Sequence, residues 1–377
     1  MTVVRFEKPG GAPVVADASR SRVLSPRYYT DPAVFAWEQD NIFAKSWAYA
    51  GHISQLPRPG SVFPCEIAGE PIIVARTVKD EIKAFYNVCA HRAARIVDEP
   101  VCAKSLQCPY HGWVYTLDGK LKTARRTNRT PGFEKTGIHL PAVRVEVMES
   151  FIYVNLDTDA APMSETVGPM FEDIQKFEID VGALKPVRQD SYTVHANWKV
   201  VVDNYVESYH TEIAHPIYVD GANWQDAYIE SHEWYTLMGG PESQENLEAL
   251  RRTGKLHVTE NRYHLGWPNI TYLFYPGPPN IFVWELLPIS IDETLFRRNS
   301  FFKTDEFDAE REAQFEMDDL LTKEDIGLIE RAWTGLNSRG FQGQGHYILN
   351  DQMTNQSEMA VHTFHRKCQQ LYDDAGL

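Results

Sequence analysis

The sequence predicts an α+β protein of two domains, and three observations carry that expectation. Residues 46–156 read as short strands joined by turns, the texture of a compact all-β domain. Residues 170–377 mix strands with long helical stretches in one continuous region. Between them, Asp157–Pro169 (DTDAAPMSETVGP) is polar and proline-bearing, as a linker would be. The chain has 377 residues, more than a typical single domain, so two cores are expected.

The elements follow in order. A helix is predicted over Pro32–Lys45. Segments rich in Val, Ile, Phe and Tyr predict strands at Pro71–Arg76, Ala84–Val88, Gly112–Thr116 and Phe151–Asn155. Leu117-Asp118-Gly119-Lys120 is a turn signal between two of them. Met170–Ile179 has an amphipathic helical pattern. Ser191–Val202 alternates towards strand, and Asp203–Thr211 reads as helix. Strands are expected at Tyr263–Tyr275, Ile281–Pro288 and Thr294–Lys303, and helices over Asp308–Leu336 and Gln352–Tyr372. Neither an internal repeat nor a low-complexity tract is present.

Bulk properties exclude several classes. The formal net charge of −15 opposes nucleic-acid binding, which needs a basic surface. No stretch of eighteen or more residues is apolar throughout, so no membrane span is expected. The first twenty residues lack a charged-then-apolar leader pattern. Five cysteines, two of them in a metal motif, are too few for a disulfide framework, and a reducing, cytoplasmic compartment is expected.

Two motifs carry the chemistry. Cys89, His91, Cys108 and His111 form C-x-H, sixteen intervening residues, then C-x-x-H. Zinc fingers usually pair Cys with Cys and His with His. Here each short segment supplies one of each, which suits a two-iron cluster with thiolates on one iron and imidazoles on the other: the Rieske [2Fe–2S] arrangement. Replacing two thiolates by neutral imidazoles raises the potential to about −150 to +300 mV, against about −400 mV for all-cysteine clusters. The competing reading, a mixed-ligand structural zinc site, leaves the second motif unexplained. Cys102, Cys65 and Cys368 are expected as buried or half-buried thiols.

The second motif is Asp203-Asn204-Tyr205-Val206-Glu207-Ser208-Tyr209-His210-Thr211-Glu212-Ile213-Ala214-His215-Pro216. Histidines five apart on a regular helix point roughly 140° apart. To share a metal they need a helix end or bulge between them, and Pro216 biases His215 away from helical dihedrals. Two imidazoles plus a carboxylate, with open positions, make the facial triad of non-haem Fe(II) oxygenases.

Together the two motifs resemble the Rieske non-haem iron oxygenases, over nearly the whole chain. The resemblance implies an N-terminal arm (residues 1–45) packed on the catalytic domain, a Rieske domain (46–156), the linker (157–169) and a helix-grip catalytic domain (170–377) built from antiparallel sheet and long helices. It implies that His210, His215 and a carboxylate from a late helix hold mononuclear Fe(II). Asp325 matches that position best, with Asp318 and Asp319 in reserve. It further implies O₂ as co-substrate, a homotrimer, and electrons from NAD(P)H through a separate flavin/iron–sulfur reductase, since this chain has no credible nucleotide fingerprint. Gly340, Gly343 and Gly345 lack the G-x-G-x-x-G order.

Most family members carry Asp three residues before the first iron His; this chain has Glu207. The family role is a bridge from the iron site to a cluster histidine of the neighbouring subunit, here His111. Glu207 and His210, at i and i+3, would share a helix face; direct ligation by Glu207 is the alternative. The stretch ANWKVVVDNYVESYHTEIAHP, the shared bridging Glu, and the tail from Glu324 through SRGFQGQGH (residues 338–346) resemble the carnitine and choline monooxygenase branch, which acts on quaternary ammonium compounds. Such a cation is held by aromatic faces, at about 0.5–2 kcal/mol per contact. Tyr205 and Tyr209 neighbour the ligands in sequence and are the first candidates. Trp224, Tyr228, Trp234, Tyr235, Trp267, Tyr272, Phe274, Tyr275, Phe282 and Trp284 form a wider field, mostly core. Apolar aromatic pockets also suit ring hydroxylation or O-demethylation of aromatic substrates, so composition leaves that alternative open.

Overall fold

The computed structural model describes residues 12–219, 226–304, 308–350 and 356–377. Chain contacts divide it into two compact units: Glu38–Phe171, and a second made of the N-terminal residues to Trp37 together with Glu172–Leu377. The two breaks fall at residues 37/38 and 171/172. Hydrogen bonds account for this on the side of the first unit. Asn155 Nδ2 donates to the Lys45 carbonyl (3.0 Å), and Trp47 Nε1 donates to that of Ala161 (3.0 Å). Met163 N donates to Glu146 Oε2 (3.0 Å). The polar stretch 157–169 is thus tied to the first unit's strands, and carries a short helix at Met163–Thr166. The predicted helix over Pro32–Lys45 is α-helical to Glu38 and continues as a wider π turn over Gln39–Phe43.

The first unit is built on β-sheet, with short helical turns only near its ends and at Ile53–Gln55. Its larger sheet is antiparallel and runs, neighbour by neighbour, through Ala48–His52, Phe151–Asn155, Ala142–Met148, Ile82–Tyr86, Glu70–Arg76, Ser61–Ile67 and Val101–Cys102. Ile72, Ile73 and Val74 are fully buried in succession, so that strand is covered on both faces. Glu149 and Ser150, with φ of 49° and 72°, close the tight hairpin whose strands begin at the pair Phe151 and Met148. A smaller sheet joins Ser105–Gln107, Val114–Thr116 and Leu121–Thr123. The predicted turn at Leu117–Lys120 lies between the last two. Gly119 there has φ +79°, and a Cβ would stand 2.5 Å from the Phe85 ring, so only glycine fits. Cys65 is half-buried and Cys368 buried as expected; Cys102 is exposed instead, because it sits on an edge strand, and its sulfur accepts from Arg58 Nε at 3.4 Å.

The second unit has a seven-stranded antiparallel sheet, in the order Lys185–Val194, Glu293–Phe302, Asn280–Ser290, Ile270–Phe274, Glu260–Gly266, Tyr235–Pro241 and Tyr228–Ser231. The stretch Tyr263–Tyr275, predicted as one strand, is two strands and a turn. The predicted strand Ser191–Val202 stops at Val194. Asn197 accepts from Lys199 N (3.1 Å) and caps a helix over Trp198–Tyr205. The β-branched run Val200–Val202 mimicked a strand, but burial of all three rewards the helix. Two strands (Tyr228–Ser231, Tyr235–Pro241) were not predicted from the sequence, nor was the helix Gln244–Arg252, whose buried Leu247 and Leu250 lie three apart on one face.

Asp308 accepts from Arg311 N (3.0 Å) and starts the long helix Ala309–Leu336. That helix is fastened to the sheet by ion pairs. Asp319 accepts from Arg188 Nη2 (2.7 Å) and also pairs with Arg298, whose Nε reaches Asp190 (2.7 Å). Beside them Leu273, Phe282, Phe302 and Phe315 form an apolar cluster, with Tyr205, Tyr263, Tyr275 and Trp284 packed on it. The last helix spans Met359–Ala375 and ends at Gly376 with φ +71°.

Candidate metal centres

The cluster motif occupies two loops of matching shape. In the first, Ala93 N donates to the Cys89 carbonyl (3.0 Å); in the second, Gly112 N donates to that of Cys108 (3.1 Å). The residue four after each Cys is left-handed: Ala93 at φ 54°, Gly112 at φ 71°. Both thiols are buried, at 2% and 1% exposure. Burial pushes the Cys108 thiol pKa up, while the backbone N–H groups of Tyr110 and His111, aimed at its sulfur, act against that. Tyr115, fully buried, accepts from Ala90 N (3.0 Å), with its Oη 3.2 Å from Cys89 Sγ.

The two imidazoles lie side by side, ring centroids 4.5 Å apart. His91 stacks on Trp113 at 4.8 Å, and Tyr110 lies 3.8 Å from His111. Sequence reasoning had not singled out Tyr115 and Trp113; both lie in the CPYHGWVY run and could have been found from it. Two buried thiols and two paired rings at the tips of equivalent loops fit an asymmetric two-iron cluster.

In the second unit the helix from Trp198 ends at Tyr205, and residues 206–210 are a turn rather than the predicted helix. A second short helix, Thr211–Ala214, separates the two histidines. His215, ahead of Pro216, has φ −123° and ψ 57°, outside the helical region. This break lets the rings converge, with centroids 5.4 Å apart. Ligand atoms of His210, His215 and Asp325 all lie within 4.8 Å of one another, and no other such group of three occurs among the described residues. His215 Nε2 is 3.0 Å from Asp325 Oδ1, and His210 Nε2 is 3.4 Å from the same oxygen.

Each imidazole turns its Nε2 to Asp325 and its Nδ1 to a second carboxylate. Glu324 Oε2 stands 2.8 Å from His215 Nδ1, and Glu207 Oε1 contacts His210 Nδ1. A carboxylate behind a ligating histidine fixes tautomer and ring orientation. Glu324 and Asp325, adjacent on the long helix, therefore grip opposite edges of His215. Burial disfavours the His210 cation, but its hydrogen bonds to the Asp325 and Glu207 carboxylates outweigh that and raise its pKa to about 10. The proton so held stands where a metal cation would replace it.

Glu207 sits on the turn, so, against the expectation, it does not share a helix face with His210. Its Oε2 accepts from the backbone N–H of His210 (3.2 Å) and of Tyr209. Asp318 and Asp319 are engaged away from the histidines: Asp318 lies 3.3 Å from Tyr275 Oη and Asp319 is in the arginine pairs. Tyr205 packs edge-on to Trp284 at 6.2 Å, with its hydroxyl deep and the ring partly accessible. Burial raises its pKa well above the ordinary value. Tyr209 is 50% exposed and does not join that aromatic group. Trp224 lies outside the described residues.

Paired Cys/His loops in a β-sheet unit and a two-histidine, one-carboxylate site in a unit with its own antiparallel sheet define a two-centre iron oxygenase. Residues 46–134 match the Rieske [2Fe-2S] domain, and residues 181–374 match the catalytic domain of the ring hydroxylating alpha subunit. The chain belongs to the Rieske oxygenase alpha subunits, and carries that family's [2Fe–2S] cluster and mononuclear iron. It is 30% identical to the carnitine monooxygenase oxygenase subunit of Escherichia coli (strain K12), over 95% of this chain and 96% of that one. It is 26% identical to the chloroplastic choline monooxygenase of Spinacia oleracea, over 91% of this chain and 76% of that one. A solved quaternary ammonium Rieske monooxygenase in complex with L-carnitine matches with a TM-score of 0.85 at 27% identity, over 97% and 99% of the two chains. No helix among the described residues is long and apolar enough to cross a membrane.

Proposed function

We propose that this chain is the oxygenase component of a two-component monooxygenase that hydroxylates a carnitine- or betaine-like quaternary ammonium compound, with C–N cleavage or N-demethylation to follow. The observation that carries the reading is the convergence of His210, His215 and Asp325 in a chain that also presents paired Cys and His loops. The family's two iron centres, when bound, supply one-electron storage and O₂ activation. Cys89 and Cys108 hold one cluster iron, and His91 and His111 the other. His210, His215 and Asp325 hold the mononuclear iron.

The protein's own contribution is position. Glu324 and Glu207 orient the two imidazoles through their Nδ1 atoms. Glu207 also bridges, in a homotrimer, to His111 of a neighbouring copy, and electrons enter from a separate NAD(P)H-dependent reductase. Tyr205, with Trp284 against it, offers an aromatic face to the substrate cation. Tyr209, half-exposed, is the second candidate for contact with the substrate. None of the five cysteines is in a disulfide, which suits the cytoplasm.

A single turnover tests the reading. The protein is reduced chemically, the cluster is confirmed by EPR, and O₂ is added with a panel of carnitine, choline, betaines and aromatic acids. Cluster oxidation stimulated by a betaine-type compound, with formaldehyde or a tertiary amine released, is expected. Stimulation by aromatic acids alone would overturn the substrate and leave the oxygenase standing. In Glu207→Gln both metals should stay bound while cluster-to-iron transfer slows; loss of mononuclear iron would make Glu207 a ligand instead.

A further inference from the structure

One buried polar network lies outside both metal centres. Asp203 is in the last turn of the Trp198–Tyr205 helix, seven positions before His210. Tyr29 Oη donates to Asp203 Oδ2 at 2.7 Å. His365 Nε2, on the last helix, is 2.9 Å from Asp203 Oδ1 and 2.8 Å from Tyr29 Oη. At the other edge of the imidazole, Leu24 N (3.3 Å) and Tyr347 Oη (2.7 Å) meet Nδ1. A backbone N–H can only donate, so Nδ1 accepts and the ring proton sits on Nε2, facing Asp203. Tyr29, His365 and Tyr347 are 2%, 2% and 7% exposed, and every polar atom of the three rings has a partner.

This is a costly place for a carboxylate. Negative charge at a helix C-terminus opposes the helix dipole, and partial burial adds a desolvation cost. Burial and the adjacent Asp203 raise the Tyr29 pKa well above the ordinary value, so its hydroxyl stays protonated and donates. What Asp203 secures is the position of its neighbours. Asn204, the next residue, places its Nδ2 3.5 Å from Asp325 Oδ1. Glu207, one turn further, contacts His210 Nδ1. Groups that address two of the three candidate iron ligands therefore hang from the helix end that Asp203 ties to the last helix and to the N-terminal segment.

We infer that Asp203, His365 and Tyr29 are positioning residues of the mononuclear iron site: they hold the helix end so that Asn204 and Glu207 meet Asp325 and His210. The inference rests on the iron-site reading above. None of the three touches a candidate ligand, so they act through Asn204 and Glu207. The network spans four separate chain segments, around residues 24–29, 203, 347 and 365, and pins the iron-site turn to parts of the chain that carry no ligand.

The test uses the iron-loaded protein and two mild variants. Asp203→Asn keeps the shape and removes the charge; Tyr29→Phe removes one hydroxyl and keeps the ring. Nitric oxide added to the ferrous site gives an EPR signal that reports the iron's surroundings, and the cluster signal serves as the internal reference. Both variants should change the nitrosyl signal, leave the cluster signal unaltered, and release more peroxide per O₂ consumed. kcat should fall towards the lower end of the roughly 10–100-fold range for outer partners of metal ligands, with KM nearly unchanged. Adding Asp203→Asn to Glu207→Gln should cost little beyond Glu207→Gln alone, because the two lie on one line of action. Fully additive losses, or an unchanged nitrosyl signal with only a lowered melting temperature, would overturn the inference. Iron retained in Asp325→Ala would overturn the underlying site reading instead, so the two failures are distinguishable.

Discussion

The candidate donors of the cluster lie within Cys89–His111, on two loops that repeat one backbone turn, whereas His215 and Asp325 of the iron site are 110 positions apart. The cluster loops are shaped by local chemistry: a hydrogen bond back to each cysteine and a left-handed residue four positions on. The iron site has no such local template. Its geometry depends on a helix break before His210, a second break at His215, and a long helix held to the sheet by arginine pairs at Asp319, less than two turns before Asp325. The difference teaches that damage to the first site should be local, and damage to the second should arrive from a distance.

The largest expected effect is at Asp325. Asp325→Ala should empty the mononuclear site and reduce activity by more than the roughly 100-fold upper range for outer partners, while the cluster EPR signal persists. Metal analysis beside EPR checks both halves; loss of both centres together would break the claimed independence. Conversely, Cys108→Ser should abolish the cluster signal and leave mononuclear iron in place.

Glu324→Gln comes next. It keeps the size at His215 Nδ1 but removes the charge, and should lower iron affinity or turnover about 10–100-fold. Iron titration of the chelator-treated protein measures it.

The cluster loops allow a smaller, internal comparison. Gly112 has φ +71°, and a Cβ would approach Arg125 Cδ to 3.0 Å. Gly112→Ala should cost about 1–2 kcal/mol from the left-handed backbone alone. Ala93→Gly, at the same position of the other loop, relieves that strain but adds unfolded-chain freedom, so its net change should be under about 1 kcal/mol. Urea unfolding of the two variants ranks them; equal losses would show that the loops are not equivalent.

The last comparison is a pH dependence that the iron site contributes. In chelator-treated protein the His210 pKa of about 10 stands above its ordinary 6.5. The stabilisation is therefore fully present below pH 6.5 and lost as pH rises through 10. Iron displaces that proton, so this falling slope should vanish in the loaded protein. Melting temperatures across pH 6–10, with and without iron, decide it.

Much of this was legible in the residues. The alternating Cys/His spacing pointed to the cluster without any fold, because all four donors are local. Pro216 already implied the break at His215. The helix at Trp198–Tyr205 was misread as strand because three consecutive valines have high β-propensity, and burial overrode it. Cys102 was expected inside and lies on an exposed edge. Tyr209 was chosen for its nearness in sequence to His210; it is half-exposed and lies outside the aromatic group that Tyr205 joins.

The sequence by itself carried the Cys/His cluster motif, the His210/His215 pair, the α+β class and the order of the two domains, since spacing and hydrophobic period are properties of neighbours along the chain; Asp325 entered through the family resemblance, with Asp318 and Asp319 in reserve. Only the tertiary structure decided that Glu324 backs His215, that Glu207 lies on a turn, that Asp318 and Asp319 face elsewhere, and that Asp203 is anchored to Tyr29 and His365. Those contacts join residues from 21 to 174 positions apart or depend on where a helix ends, and no local pattern encodes which distant side chain will complete a buried hydrogen bond.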